Sequence, residues 1–237
     1  MDIAVELNQV SRRYTRRGAP ALNNVSLAVP AGSFVAVMGA TGSGKSTLLQ
    51  CAAGLDRPTG GTVRLAGQDI TRMRERALTR LRRDRVGFVF QSYNLLSELT
   101  VGQNVRLPGR LGAPRTRDVD DVLDAVGLAG LARRPVGALS GGQRQRVALA
   151  RALVTAPTVI FADEPTGALD PATGAQVLRL LREAVDDDGV TVVMVTHDPV
   201  AAAWSDRLVL LRSGEIAADD RTPDASAVAE RLAGVTA

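Results

Sequence analysis

The chain has 237 residues, of which 45% are hydrophobic and 23% charged, which is the balance of a folded globular protein and excludes a disordered or fibrous one. Its net charge of +4 comes from 29 basic residues spread along the chain against 25 acidic ones, so no nucleic-acid surface is predicted. No run of eighteen apolar residues predicts a membrane span, no basic segment at the start predicts a secretory leader, and a single cysteine fits a cytosolic location without an intramolecular disulfide.

Short apolar segments rich in Val and Ile alternate with longer helical patterns, which predicts a mainly parallel α/β sheet with helices on its faces. Strands are predicted at Ile3–Leu7, Val25–Val29, Phe34–Met38, Val63–Leu65, Val86–Phe90, Thr158–Ala162, Thr191–Val195 and Arg207–Leu211, the last paired with Glu215–Ala218 through a hairpin turn at Ser213 and Gly214. Helices are predicted at Lys45–Gly54, Arg74–Asp84, Asp118–Val126, Gly141–Thr155, Ala172–Val185 and Asp224–Leu232.

The centre of the chain differs from its two ends. From about Ser92 to Ala156 the patterns are helical, with a loop predicted around Pro108 and Gly112, and no strand is predicted. We therefore expect one domain over residues 1–237, in which residues 1–91 and 157–237 form the α/β core and residues 92–156 an inserted helical subdomain.

A phosphate-binding loop is predicted directly after the apolar strand Phe34–Met38. The sequence there matches G-x-x-x-x-G-K-[ST] between a strand and a helix, which turns backbone N–H groups toward a phosphate at a helix N-terminus. A chance glycine-rich turn is the alternative, and the position of the chain's only lysine argues against it. Lys45 is predicted to bind the β- and γ-phosphates and Ser46 to bind Mg²⁺. The predicted loop consists of Gly39, Ala40, Thr41, Gly42, Ser43, Gly44, Lys45, Ser46 and Thr47.

Two acids end the buried-type strand before Pro165. Asp163 is predicted to hold Mg²⁺, and Glu164 is predicted to act as general base toward the attacking water. Because successive side chains of an extended backbone point in opposite directions, the two acids are expected to have different roles. The alternative is that both acids cap a turn.

Two other strands end in polar residues that belong at the same sheet edge. His197, the only histidine, is predicted to contact the γ-phosphate and orient Glu164 or the water, and its alternative is a structural role. Gln91 is predicted to bind Mg²⁺ and sense the γ-phosphate, and its alternative is a strand-end cap.

A second glycine motif begins the helical stretch after Leu139. Ser140 is a good N-cap, and Gly141 and Gly142 expose backbone amides ahead of Gln143. This arrangement is typical of a second anion site, although a Gly-Gly helix start is by itself weak evidence.

The ordered motifs GATGSGKST, FVFQS, LSGGQ, FADEP, GALD and VTHD closely resemble those of the ATP-binding cassette (ABC) family of transporter ATPases, from about Ile3 to Glu215. The resemblance implies an α/β P-loop NTPase core with an N-terminal antiparallel β subdomain and an inserted helical subdomain. It implies that two subunits sandwich two ATP molecules, so that Ser140, Gly141, Gly142 and Gln143 contact the γ-phosphate bound to the other protomer. Asp170 matches the loop that communicates across the dimer, and Tyr14 matches the aromatic that stacks on adenine, with a buried edge tyrosine as the alternative.

The same resemblance implies a function. ATP and Mg²⁺ are the expected cofactors, and the expected partners are a second copy or a second ABC ATPase and an integral membrane permease, which places the chain peripherally at the cytoplasmic face of the membrane. VGFVFQSYNLL, LDRPTGG and ADEPTGALD resemble the lipoprotein-release and macrolide-export type, although Ala40, Thr41 and Ala168 depart from its usual residues. Export or extraction of a lipophilic substrate, lipoprotein, peptide or antibiotic is therefore expected.

Three alternatives remain: a small-solute importer subunit, a non-transport ABC ATPase, and a nucleotide-binding scaffold without turnover. Glu164 and His197 argue against the scaffold. The apolar residues after Gln91 either form the groove that receives the permease's cytoplasmic helix or pack the helical subdomain; they are Tyr93, Leu95, Leu96, Leu99 and Val101.

Overall fold

The strands lie where the sequence predicts them, and the first ones are longer than predicted. The computed structural model describes residues 2–15, 18–221 and 224–236. Its strands are β1 (Ile3–Arg12), β2 (Leu22–Pro30), β3 (Phe34–Met38), β4 (Gly60–Leu65), β5 (Gln68–Asp69), β6 (Val86–Phe90), β7 (Val159–Asp163), β8 (Thr191–Val195), β9 (Arg207–Arg212) and β10 (Glu215–Arg221). Of these, β5 was not predicted, because a pair of two residues is too short to show an alternating pattern.

All six predicted helices are present, and three short ones are added. The helices are α1 (Lys45–Ala52), α2 (Glu75–Arg85), α3 (Val101–Val105), α4 (Leu107–Arg110), α5 (Val119–Ala125), α6 (Gly141–Leu153), α7 (Pro171–Asp186), α8 (Pro199–Ala202) and α9 (Ala225–Thr236). The short α3, α4 and α8 were missed. Helix α4 contradicts the loop predicted around Pro108; the proline lies in the first turn, where its missing N–H is not needed.

The larger sheet has six strands in the order β10-β9-β3-β8-β7-β6. Strands β9, β3, β8, β7 and β6 run parallel, and β10 pairs with β9 antiparallel at the edge. A second sheet, of order β2-β1-β4-β5, is antiparallel throughout. The expectation of an α/β core with an N-terminal antiparallel sheet is confirmed.

Strand β3 separates two hydrophobic cores because its side chains alternate between the two faces of the larger sheet. Phe34, Ala36 and Met38 pack into one core together with residues of α6 and α7. Val35 and Val37 pack into the other core with α1 and the antiparallel sheet. All five residues of β3 are buried, which fixes the strand in the middle of the molecule and sets the position of the loop that follows it.

Helices alone connect β6 to β7: α3, α4, α5, a short 3₁₀ turn at Val136–Ala138, and α6. Asn104 at the centre of this segment is fully buried, and its side chain bonds the backbone of Leu96 at 2.8 and 3.0 Å and the carbonyl of Thr100 at 3.1 Å. This asparagine holds the chain after β6 in place, and the sequence analysis did not identify it.

The register of the parallel strands brings the polar strand ends together. Phe90 pairs with Asp163, Asp163 pairs with Val195, and Val195 pairs with Val37. The residues that follow β3, β8, β7 and β6 therefore emerge side by side at one edge of the sheet. Across the described ranges, none of the helices is both long enough and apolar enough to cross a bilayer.

Candidate functional site

The loop between β3 and α1 has the backbone geometry of an anion cradle. Gly42 and Gly44 have φ values of 80° and 105°, which favour glycine, and Gly44 directly precedes the first residue of α1. A Cβ on Gly44 would collide with the carbonyl oxygen of Ala21. The loop thus directs backbone N–H groups and the positive end of α1 toward one point.

Lys45 lies across this loop. Its Nζ donates to the carbonyl oxygens of Gly39 at 2.8 Å and Ala40 at 2.9 Å. Burial lowers the pKa of Lys45, and the nearby charges of Glu164 and Asp163 oppose that change. Within the described ranges Lys45 forms no ion pair, so its charge is available to an anionic ligand.

Ser43 provides a direct test of whether the loop fits a phosphate. Ser43 is 5% exposed, and its Oγ has no hydrogen-bond partner among the described residues. A buried hydroxyl without a partner is costly, and a phosphate oxygen held by the loop would supply the missing acceptor. The turned loop, Lys45 and this hydroxyl together provide the donors that a phosphate group requires.

Asp163 ends β7 with its side chain half-buried. Burial, and then the charge of Glu164, raise the pKa of Asp163, while Lys45 lowers it. Two carboxylates, Asp163 and Glu164, are therefore offset here by the single positive charge of Lys45, and a site of this kind suits a divalent cation. No cluster of three or more His, Cys, Asp or Glu side chains forms a metal site in the described residues, so Mg²⁺ here would need oxygens from Ser46, Gln91 and the nucleotide as well.

Glu164 contacts His197. Glu164 Oε1 lies 2.9 Å from His197 Nδ1, and the side chains are 17% and 69% exposed. The backbone of Glu164 is left-handed, with φ of 49°, and its N–H donates to the carbonyl oxygen of Val195 at 2.9 Å. The alternation argument that assigned different roles to the two acids is therefore wrong, since extended backbone ends at Asp163; their surroundings distinguish them instead.

Gln91 lies one residue beyond β6, against the loop that follows Glu164. Its Nε2 would be 3.0 Å from a Cβ built on Gly167. The side chain is exposed and contacts this loop, as a residue that responds to the nucleotide site requires.

Tyr14 is exposed, which contradicts the alternative of a buried edge tyrosine. The residue is 56% exposed, and its hydroxyl lies 3.0 Å from Asp56 Oδ2 and 3.4 Å from Thr47 Oγ1 of the phosphate loop. The Arg12 guanidinium lies 4.5 Å from the ring centroid and is itself paired with Asp56 at 2.8 Å. These contacts hold the ring beside the loop while leaving most of it accessible.

The second glycine motif forms the N-terminus of α6. Ser140 is the predicted N-cap: its Oγ accepts from Gln143 N at 3.2 Å, and Gln143 Oε1 accepts from Ser140 N at 3.0 Å. A Cβ on Gly142 would collide with Thr173 at the start of α7. Asp170 caps α7 by accepting from Thr173 N at 3.0 Å. Hydrogen bonding to the Thr173 side chain, and then to its backbone N–H, lowers the pKa of Asp170.

Gln145 is a further connection that the sequence analysis missed. It is fully buried, and its Nε2 donates to the carbonyl oxygen of Pro165 at 2.6 Å. Its position on the apolar face of a helical pattern was the available signal, because a buried amide there needs a partner. Gln145 joins α6 to the loop that begins at Glu164.

The two glycine motifs begin different helices of the chain, α1 and α6. Among the described residues, no hydrogen bond or ion pair joins residues 140–143 to residues 39–47. One chain therefore presents two glycine-rich helix starts that are not bonded to each other.

Replacing Asp163 with asparagine is expected to stabilise the ligand-free protein and to stop Mg²⁺-dependent activity. Because the pKa of Asp163 is raised in the fold, its ionised form is destabilising above that pKa, and the cost fades as the pH falls through it. Thermal unfolding at pH 7.5 and pH 4.5 checks this. The variant should have a higher Tm than wild type at pH 7.5, and the difference should be smaller at pH 4.5. An equal or lower Tm at pH 7.5 would contradict the raised pKa of Asp163.

Comparison with known proteins finds one family and relatives that belong to it. Residues 22–167 match the family described as ABC transporter. The chain is 45% identical to the macrolide export ATP-binding/permease protein MacB of Sodalis glossinidius over 92% of this chain, but it spans only 34% of that protein. It is 44% identical to an uncharacterized ABC transporter ATP-binding protein, YvrO, of Bacillus subtilis, over 91% of this chain and 96% of the relative.

A solved structure is similar as well. It is an ATP-binding cassette in a dimeric post-hydrolysis state with ADP and Pi bound, 38% identical, with a TM-score of 0.83. The match covers 92% of this chain and 99% of that one.

Proposed function

This chain belongs to the ABC transporter family as an ATP-binding cassette ATPase, and from that membership we propose that it works in a dimer that drives a separate membrane permease. The observation that carries the proposal is that, among the described residues, no hydrogen bond or ion pair joins its two glycine motifs. A single copy presents half of each reaction centre. A second cassette, either a copy of this chain or a related one, would place its α6 N-terminus over the phosphate loop.

The residues have the following roles in this proposal. Lys45, Ser43 and the loop amides bind the phosphates, and Tyr14 stacks on the adenine. Glu164, oriented by His197 at 2.9 Å, accepts a proton from the attacking water. Ser46, Gln91 and Asp163 would hold Mg²⁺, which when bound would supply positive charge to the phosphates. Ser140, Gly141, Gly142, Gln143 and Asp170 act on the nucleotide of the other protomer.

The proposed division of the chain follows the same scheme. Residues 1–91 and 157–237 form the nucleotide-binding core, and the helical residues 92–156 share the surface for the permease with α2 and β6 of that core. A cavity of about 370 Å³ lies between α2, β6, α4 and α6, lined mainly by apolar groups such as Phe88, Phe90 and Leu111. It is the best candidate for the permease's cytoplasmic helix, and it would place the chain at the inner face of the membrane.

The residues predicted from sequence to form this groove contribute little to it. Val101 is fully buried in the core, and Leu95 packs against the same core. Leu96 is 45% exposed and does not line the cavity. For Val101 and Leu95 the alternative of packing the helical subdomain is therefore the better description.

Export is the direction we propose, since the MacB relatives are named for macrolide export, with a lipophilic substrate, lipoprotein, peptide or antibiotic as cargo. A small-solute importer and a non-transport ATPase are the alternatives. Identification of the membrane protein that co-purifies with the chain separates all three.

The dimer is tested by two substitutions at Ser140. Aspartate keeps the helix cap but places a negative charge toward the partner's γ-phosphate, whereas alanine removes the cap without adding charge. We expect Ser140→Asp to lose most ATPase activity and Ser140→Ala to lose less, with nucleotide binding to the monomer unchanged in both. If Ser140 serves only as a cap, alanine will be the worse substitution.

Mixing variants tests the trans arrangement directly. Ser140→Asp and Lys45→Ala are each expected to be inactive alone, yet a mixed dimer holds one intact centre. With random pairing about half of the dimers are mixed, so activity of up to about a quarter of wild type is expected. A mixture as inactive as its components contradicts the proposed dimer.

A further inference from the structure

The turn that follows Gln91 has an unusual backbone. Tyr93 and Asn94 are consecutive left-handed residues, with φ of 63° and 48°. Asparagine tolerates this region, but a bulky tyrosine adopts it rarely. Such a conformation persists only where the surrounding structure enforces it.

One side chain binds both residues of the turn. Arg151, on α6, donates from Nη2 to the carbonyl oxygen of Tyr93 at 3.0 Å and from Nη1 to that of Asn94. Burial lowers the pKa of Arg151, and no carboxylate pairs with it among the described residues. Its donors therefore serve the turn, and charge-assisted bonds of this kind are strong.

The clamped turn lies between the two surfaces that the proposed function needs. Asn94 and Arg151 both line the cavity of about 370 Å³. On the other side of the turn, Gln91 contacts the loop at Gly167. Only Ser92 separates Gln91 from the clamp, so a change in the backbone angles at Tyr93 would reach Gln91 within two residues.

We propose that Arg151 is a positioning residue, which keeps Gln91 at the nucleotide site by clamping the Tyr93–Asn94 turn. The inference rests on the proposed binding of Mg²⁺ by Gln91. Arg151 itself is not among the residues proposed to bind nucleotide or metal.

The test compares Arg151→Gln and Arg151→Lys with Arg146→Gln. Arg146 is a matched control, since it lies on the same helix and its Nη1 donates to two backbone carbonyls, those of Val126 and Gly127, both at 3.2 Å. Arg151→Gln should raise the Mg²⁺ concentration for half-maximal ATP hydrolysis about tenfold or more, as loss of a ligand's support does, and Arg151→Lys should raise it less. Nucleotide binding without Mg²⁺ should be unchanged, and Arg146→Gln should not alter the Mg²⁺ requirement.

A double-mutant cycle with Gln91→Ala separates positioning from general destabilisation. If Arg151 acts through Gln91, Arg151→Gln adds nothing to the Mg²⁺ requirement of Gln91→Ala. An additive increase, or no increase in the single Arg151 variants, overturns the inference while leaving the role of Gln91 intact. Arg151→Lys carries this test if Arg151→Gln fails to fold.

Hydrogen exchange over residues 91–96 gives a readout that does not depend on metal. It should be faster in Arg151→Gln than in wild type or Arg146→Gln, and unchanged exchange overturns the clamp. If Gln91→Ala itself leaves the Mg²⁺ requirement unchanged, the metal role of Gln91 in the proposed function is wrong. Faster exchange would then still support the clamp as a structural feature.

Discussion

Replacing Glu164 with glutamine is expected to abolish ATP hydrolysis while ATP still binds. An amide cannot accept the proton of the attacking water, and loss of such a base costs about 10²- to 10⁴-fold in rate. The amide can keep the contact to His197, which is 2.9 Å in the native protein, so the site should remain assembled. Trapped ATP should then hold the dimer closed. Single-turnover hydrolysis and size-exclusion chromatography with Mg²⁺ and ATP measure both effects.

A charge control accompanies this experiment. Glu98→Gln removes an exposed carboxylate whose described side-chain partner is its neighbour Ser97, and it should hydrolyse ATP normally. If Glu164→Gln turns over at the wild-type rate, Glu164 is not the base. If it stops turnover without accumulating as a dimer, the two-cassette arrangement is wrong.

Replacing Lys45 with alanine is expected to weaken ATP binding by about 100-fold or more. In the ligand-free protein the ammonium group bonds two backbone carbonyls, at 2.8 and 2.9 Å. When ATP binds, phosphate oxygens would replace these carbonyls, and each charge-assisted bond to phosphate contributes about 1.5–3 kcal/mol. Lys45→Arg should not restore affinity, because a planar guanidinium does not fit where the ammonium does. Titration with a fluorescent ATP analogue measures the loss, and retained wild-type affinity contradicts the assignment of the loop.

The composition of the chain allows the same contact to be tested without mutation. Lys45 is the only lysine, so an amine-reactive acylating reagent has one side-chain target besides the α-amino group. Its lowered pKa increases the fraction of reactive free amine. ATP should protect Lys45 from acylation while the α-amino group reacts as before, and mass spectrometry of the digested chain measures this.

The fold could be predicted from sequence where the pattern is local. Strands such as Phe34–Met38 are short apolar runs, and the phosphate loop between a strand and a helix has a fixed motif, so both were found in place. The ends of β6, β7 and β8 were predicted to share an edge because parallel strands follow from the alternation of strands and helices. Pro108 misled the prediction because proline is compatible with the first turn of a helix as well as with a loop.

The rest depended on contacts between distant parts of the chain. The left-handed backbone of Glu164 is held by a bond to Val195, which lies on a different strand, and no local pattern predicts it. The exposed position of Tyr14 depends on Arg12 and Asp56 packing around it. The roles of Asn104 and Gln145 became visible only when their burial and their partners were known.

The joint between α6 and the loop after Glu164 has a consequence for how the two reaction centres behave together. Gly142 lies close to Thr173, and Gln145 bonds Pro165, so α6 is tied both to the start of α7 and to the loop that begins at Glu164. In the proposed dimer, the partner's nucleotide would contact the start of α6. Through this connection it would be linked to Glu164, which lies beside the chain's own nucleotide. In the proposed dimer, each protomer would contain one such connection between the surface that faces its partner's nucleotide and its own Glu164.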